Sequence, residues 1–350
     1  MVKHVVFAVP GNLDTPTGGY AYDKRIMAEL RELGWEVDYL DIGDGFPAPD
    51  PAVRAAARSL LAAIPAGRPI VLDGLALGVL PDVAAELAGR HPLVALVHHP
   101  LALESGLTAD RADTLRRSEQ AALANVREVV VTSPATAKLV ASDYGVPAGH
   151  ITIARPGNDR VPPSARTPND IPHLLSVGSI VPRKGFDVLV SALATLAEIP
   201  WRLTIVGDLT RNPTEAAKIQ HLIAHHGLSG RIEISGAVAS SRLALLYAEA
   251  DLFVLASRFE GYGMAYAEAL CHGLPVIGTT AGAIPDTIPR GAGLLVPPDD
   301  SAALAAALRG VIADSEQRRR LSEAASAAAR TLPTWQHSAA IFAATLDKLA

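Results

Sequence analysis

Residues Asp251–Thr280 read DLFVLASRFEGYGMAYAEALCHGLPVIGTT, a pattern of strand, glycine loop, helix and strand. Asp251–Ala256 is a short apolar run of the kind that forms a strand covered on both faces. Gly261 and Gly263 then deny a stable helix and let backbone approach a ligand closely. The helix opens near Met264 and closes at His272–Gly273, where Gly273 suits a left-handed cap. Leu274–Gly278 supplies the next strand. A loop outside the carboxyl end of a parallel strand, feeding a helix N-terminus, is where open α/β sheets bind anions.

The alternation continues in both directions. Downstream of a proline-rich break the spacing predicts strands at His173–Val177, Arg202–Val206, Arg231–Ser235 and Gly293–Val296, besides the two just quoted. Helices are expected near Phe186–Glu198, Pro213–His226, Ser240–Glu249, Ser301–Ala313 and Glu316–Arg330. Upstream, strands are expected at His4–Val9, Trp35–Leu40, Pro69–Asp73, Leu93–Val97, Glu128–Thr132 and Ile151–Ala154. Helices fall between them near Tyr20–Leu33, Pro51–Ile64, Val79–Ala88, Thr108–Val126 and Pro134–Tyr144. The break is Val161–Pro172, VPPSARTPNDIP, where proline removes donors and fixes φ, so it reads as a linker. The fold class is α/β with two doubly wound parallel sheets, and a closed eight-stranded barrel fits poorly. The expected domains are 1–166 and 167–333. In the last segment, 334–350, Trp335, Phe342, Leu346 and Leu349 share one helical stripe.

Composition narrows the class. The chain has 350 residues, 49% hydrophobic and 19% charged, enough apolar material for two cores and too much for dominant disorder. A net charge of −5 advertises no nucleic acid partner. The lone Cys271 removes any disulfide framework. Apolar stretches break before the ~18 residues a spanning helix needs, and MVKHVVFAVPG is too short a run for a signal peptide. The expectation is a soluble, cytoplasmic protein. Charges in Thr108–Val126 balance, so a peripheral membrane contact has little support. No G-x-G-x-x-G follows the first strand, and no Walker loop, nucleophile elbow, H-E-x-x-H or D-x-D is present. Neither cofactor nor metal is expected.

Two carboxylates bracket the glycine loop. On one continuous helix Glu260 and Glu268 would lie ~12 Å apart, but the glycines fold Glu260 back so both can border one crevice. Carboxylates accept paired hydrogen bonds from vicinal diols such as ribose or hexose rings present. The plain alternative is a solvated loop acid and a surface helix acid. Arg183–Lys184, beside Gly185, follow a strand end, where two adjacent cations are either solvated or placed for phosphate. Gly18–Gly19, before a helix, make either an ordinary strand–helix turn or an amide nest.

RFEGYGMAYAEALCHGLPVI, with Glu260 and Glu268 in E-x7-E spacing, resembles the signature of retaining GT-B glycosyltransferases, family 4 in the carbohydrate-enzyme classification. AGAIPDTI, GAGLLVPPDDSAALAAAL, SVGSIVPRKGFDVLVSAL, TPTGGYAYDKRIMAELRELGWEV and ARPGND continue the resemblance over nearly the whole chain. It implies a GT-B fold, two Rossmann-like domains facing each other across a cleft, with the final helix crossing back to the first. It implies transfer of a hexosyl group from a nucleotide diphosphate sugar, UDP- or GDP-linked, to an acceptor hydroxyl with retention and without metal. The acceptor would be a small molecule, glycan or lipid-linked hydroxyl. The leaving phosphate itself would take the acceptor proton.

The resemblance also distributes roles. Glu268 would hold the ribose and Glu260 the transferred sugar, with amides from Gly261, Tyr262, Gly263 and Met264. Lys184 and Arg183 would grip the diphosphate, with Gly18 and Gly19 facing it. His98, or else His99, would approach the reacting sugar. Ser235–Val238, including Ala237 and Val238, would bracket the base. Two positions depart from the family: Ser179 stands where an arginine is frequent, and Ala265–Tyr266 where a proline is usual. Other readings are an epimerase or phosphorylase of the same fold, and a non-catalytic sugar-binding protein.

Overall fold

Short runs of valine, leucine and isoleucine form two six-stranded parallel sheets in a computed structural model that describes residues 3–104, 106–161 and 170–349. The first sheet contains β1 Lys3–Val9, β2 Trp35–Asp41, β3 Ile70–Asp73, β4 Leu93–Val97, β5 Glu128–Val131 and β6 Ile151–Ile153. The second contains β7 His173–Val177, β8 Arg202–Val206, β9 Ile232–Ile234, β10 Leu252–Val254, β11 Val276–Thr279 and β12 Gly293–Val296. Inner strands β3, β4 and β5 are buried throughout, whereas edge strand β2 buries only Trp35 and Val37. That contrast follows from helices covering both faces of the middle of a parallel sheet.

Helix starts are set locally. Thr17, Asp50, Thr108, Ser133 and Asn212 accept backbone N–H groups at N-caps, and prolines occupy first-turn positions at 51, 81, 134 and 213. Pro81 starts its helix later than the expected Val79. Asp73 ends β3 and caps Leu75 N–H at 2.8 Å, turning the chain directly into a one-turn helix, Gly74–Leu77, absent from the sequence expectation. Strand β10 is shorter than expected at both ends. Its flank Asp251 turns its carboxylate to the His173 N–H at 2.8 Å.

The chain forms two units, Met1–Gly157 with Pro333–Ala350, and Asn158–Leu332. The division precedes the expected 166/167 boundary because Arg160 already donates to the carbonyls of Ala329 (2.7 Å) and Leu332 (3.3 Å) in the second unit. Most of the expected linker, residues 162–169, lies outside the described residues. Helix Trp335–Asp347 packs on the first unit: Phe342 meets Phe7 at 5.6 Å between ring centroids, and Trp335 lies against Tyr22. Trp335, Phe342 and Leu346 are buried, and Leu349 follows the helix, half-buried.

Strand order decides where ligands can sit. In the first sheet it is β2-β1-β3-β4-β5-β6, in the second β12-β11-β10-β7-β8-β9. The direction of winding therefore reverses between β1 and β3, and between β7 and β10. Loops at the carboxyl ends of strands beside such a reversal diverge and leave a crevice.

Candidate functional site

In the second unit the loops after β7 and β10 flank the reversal. Pro182–Lys184 forms a single 3-10 turn ended by Gly185 at φ 66°. This turn is tied to the segment after β10. Arg258 N–H donates to the Arg183 carbonyl at 2.8 Å, and its guanidinium donates to the Pro182 carbonyl and grips Asp187 at 3.0 and 3.1 Å. Glu260 closes the arrangement. Its Oε1 accepts from Lys184 Nζ (2.6 Å) and Ser257 Oγ (2.6 Å), and its Oε2 from Arg183 Nη1 (3.2 Å). Arg183 Nη1 also donates to the Phe259 carbonyl at 2.9 Å. Burial would raise the Glu260 carboxyl, but Lys184 and then Arg183 outweigh it and bring it down to about 2. Glu260 is therefore ionised at any working pH. The three expected residues Arg183, Lys184 and Glu260 are brought together.

Glu268 has different company. It is half-buried on helix Met264–Cys271, and its Oε2 accepts from the hydroxyl of buried Tyr247 at 2.8 Å. Burial raises its carboxyl, the Tyr247 bond opposes that, and Asp159 from the ARPGND turn adds to the rise. Tyr247 is fixed in turn by stacking on His272, 5.1 Å between centroids. Gly261, Tyr262 and Gly263 are buried and Met264 half-buried, and Gly263, at φ 91°, caps the helix without a side-chain bond. The helix therefore presents its first N–H groups beside Glu260, a favourable place for an anion. Tyr266 is fully buried, donates to the Leu255 carbonyl at 2.7 Å, and packs edge-on against Phe253. Ser179 lies half-buried in the turn after β7, and Ala237 (exposed) and Val238 (half-buried) lie in the loop after β9.

In the first unit, Gly18 and Gly19 open helix Gly18–Glu32, whose cap Thr17 accepts from Tyr20 N–H. His98 follows β4, and its Nε2 lies 3.0 Å from Asp23 Oδ1 and 3.4 Å from Asp73 Oδ2. A Cβ added at Gly19 would lie 3.2 Å from His98 Cδ2, so the helix start and the imidazole are neighbours. His99 instead meets Glu104 at 3.3 Å. The donor atoms of Asp23, Asp73 and His98 all lie within 4.8 Å of one another. His98 Nε2 is at hydrogen-bond distance from Asp23, and Asp73 stands beside it as a second carboxylate at ion-pair distance.

Four of these partners were not singled out from sequence. Asp23 carried a signal: it lies on the buried stripe of its helix with Tyr22, Ile26, Met27 and Leu30, where an acid is out of place. Ser257 lies within the quoted stretch. Asp73 and Tyr247 had no signal apart from the fold.

Residues 158–328 match the family described as "Glycosyl transferases group 1". This part of the chain belongs to that family. The group 1 domain coincides with the second unit, the one that holds Glu260, Glu268, Arg183 and Lys184. The MMP alpha-(1->4)-mannosyltransferase of Mycolicibacterium hassiacum is 29% identical over 264 residues, 70% of this chain and 61% of that one. The D-inositol 3-phosphate glycosyltransferase of Paenarthrobacter aurescens is 31% identical over 59% of this chain. The chain spans 38%, 61% and 54% of the length of three such curated relatives. Among solved structures, the sucrose-phosphate synthase of Thermosynechococcus elongatus superposes with TM-score 0.83 at 22% identity, over 98% of both chains. Anabaena HepE, solved with UDP and glucose, has TM-score 0.78 at 20% identity, covering 99% of this chain and all of that one (100%). The fold is GT-B. No helix among the described residues is long and apolar enough to cross a membrane.

Proposed function

We propose that this chain is a retaining glycosyltransferase that moves a hexosyl group from a UDP- or GDP-sugar to an acceptor hydroxyl without a metal ion. One observation carries the reading. A buried carboxylate holds an ammonium and a guanidinium at the strand-order reversal of a group 1 domain, beside a helix N-terminus. Lys184, Arg183 and the amides of Gly261–Met264 stabilise charge growing on the departing diphosphate, a preorganised contribution. Glu260 keeps both cations oriented and presents oxygen lone pairs to the sugar hydroxyls. Glu268 accepts from the ribose diol. No carboxylate is placed as a covalent nucleophile on this reading, so attack occurs on the face the phosphate leaves, and that phosphate takes the acceptor proton. The acceptor, a small molecule, glycan or lipid-linked hydroxyl, belongs to the first unit.

A panel of UDP- and GDP-sugars, scored for release of the nucleoside diphosphate and for thermal shift, tests this. One donor is expected to turn over at the same rate with and without EDTA. Loss of turnover in EDTA, restored by magnesium or manganese, would remove the metal-free mechanism. Thermal shift without release from any donor would leave a sugar-nucleotide binder.

Glu268→Gln separates nucleotide binding from sugar handling. Two charge-assisted hydrogen bonds to the ribose are each worth ~1.5–3 kcal/mol, so UDP or GDP binds at least ~10-fold more weakly to the variant. Calorimetry reads this directly. Unchanged affinity would take Glu268 off the ribose.

A further inference from the structure

Asp23 is fully buried and Asp73 nearly so, yet each reaches the same ring nitrogen of a histidine whose side chain is 20% exposed. Asp23 comes from the first helix and Asp73 from the end of β3, so three elements converge on one N–H. Among the described residues the second oxygen of Asp23 has no hydrogen-bond partner. A buried carboxylate in that condition is costly unless a cation stands against it.

We propose that Asp23 and Asp73 are positioning residues that hold His98 as a permanent imidazolium, whose Nδ1–H donates to a substrate oxygen. The proposal rests on the transferase reading above and deepens it: His98 is a fixed donor, and it takes no proton from the acceptor. The ligand it fits is an oxygen with a lone pair to offer, a sugar hydroxyl or a phosphate oxygen.

The geometry fixes the ring. Carboxylates on Nε2 place one proton there, which assigns the other proton of the cation to Nδ1. The Nε2–Cδ2 edge faces Gly19, where an added Cβ would stand 3.2 Å from Cδ2 and 3.5 Å from Nε2. Tyr22 meets the ring edge-on at 5.4 Å, and its own hydroxyl is anchored on the Ala154 carbonyl at 2.9 Å. Thr132 Oγ1 donates to the His98 carbonyl at 3.2 Å. Flipping the ring would break both carboxylate contacts.

The charged surroundings agree. The first helix offers Asp23 and Tyr22, with Arg25 further along over the Trp335 ring; β3 offers Asp73; and neighbouring His99 is engaged by Glu104. From the last helix it is Trp335, an aromatic ring, that lies against Tyr22. Burial alone would lower the imidazole, but Asp23 and Asp73 outweigh it and raise it well above its ordinary value. Burial raises Asp23, with His98 pulling it down and Asp73 pushing it up.

The test follows the His98 ring by proton–nitrogen NMR across roughly pH 6 to 8.5, the span in which an ordinary histidine discharges. The wild-type ring is expected to stay doubly protonated throughout. Asp23→Asn is expected to bring its midpoint into that window. With the donor found active, kcat/KM of Asp23→Asn then falls roughly tenfold per pH unit above the new midpoint, because the charged form is the working one. UDP or GDP affinity of the same variant below its new midpoint, by calorimetry, stays at the wild-type value, which a general structural collapse would not allow. Asp73→Asn gives the same signature more weakly. A wild-type ring that titrates near its ordinary value overturns the proposal, and this readout needs neither turnover nor a folded variant. A pH profile of Asp23→Asn superimposable on the wild type also overturns it. Failure of every donor, with the ring still protonated, would count against the transferase reading alone.

Discussion

Glu260→Gln is expected to cut turnover on the order of 100-fold, the size of effect that misplacing a reacting group produces, while leaving UDP or GDP bound at least as tightly as in the wild type. The carboxylate neutralises part of the charge of Lys184 and Arg183, at 2.6 and 3.2 Å. Replacing it with an amide leaves those cations more positive toward a diphosphate, so nucleotide affinity does not suffer. What is lost is orientation, because the same carboxylate fixes both cations and Ser257. The variant should also be less stable, and in a pH-dependent way. The Glu260 carboxyl stands at about 2 in the folded chain against an ordinary 4.5. A lowered acid contributes its stability above the unfolded value and loses it as pH falls through the folded one. A shift of that size is worth ~3 kcal/mol, present at pH 7 and lost between about pH 4.5 and 2. Melting curves of both proteins should therefore converge as the pH is lowered through that window. A constant offset down to its lower end would show that the ion cluster does not stabilise the fold, and weaker UDP binding would reverse the assigned role.

The strand plan was legible because parallel strands covered on both faces are unbroken apolar runs, and β4, β7, β8 and β12 fall where those runs lie. Single helical turns such as Gly74–Leu77 and Ile284–Thr287 were not, since four residues carry no periodicity. In the site, the glycine loop and the two glutamates could be read as a motif. Their separate environments could not. Glu260 lies 76 residues from Lys184 in sequence, and it meets it only because β10 is hydrogen-bonded to β7. His98 likewise meets Asp23 across 75 residues. Local pattern supplies elements and motifs; strand order decides which of the motifs touch.

The second large effect is expected from a residue with no side chain. Gly185 adopts φ 66°, a conformation that costs an ordinary residue roughly 1–2 kcal/mol. A Cβ there would also stand 2.0 Å from the Ala256 carbonyl oxygen, a backbone atom that cannot swing away. Gly185→Ala must therefore move the turn Pro182–Lys184 off the end of β10. That turn is sewn to the same segment by the Arg258 N–H bond to Arg183 and by the Arg258 guanidinium, so the displacement is resisted and the strain is shared. Lys184 and Arg183 travel with it, away from Glu260. The expected result is a fall in stability of ~3 kcal/mol or more, the range of a buried clash added to an unfavourable φ. Turnover falls on the order of 100-fold, because in the proposed mechanism the cations no longer sit where the diphosphate charge develops. Gly227 supplies the control: it has φ 67° and nothing within 4 Å of an added Cβ. Gly227→Ala should pay the backbone cost alone, about 1–2 kcal/mol, and keep wild-type turnover. Thermal melts and initial rates on the two variants separate the contact from the conformation. If Gly185→Ala were as mild as Gly227→Ala, the close approach of the phosphate-side turn to β10 would not be what holds the cations in place.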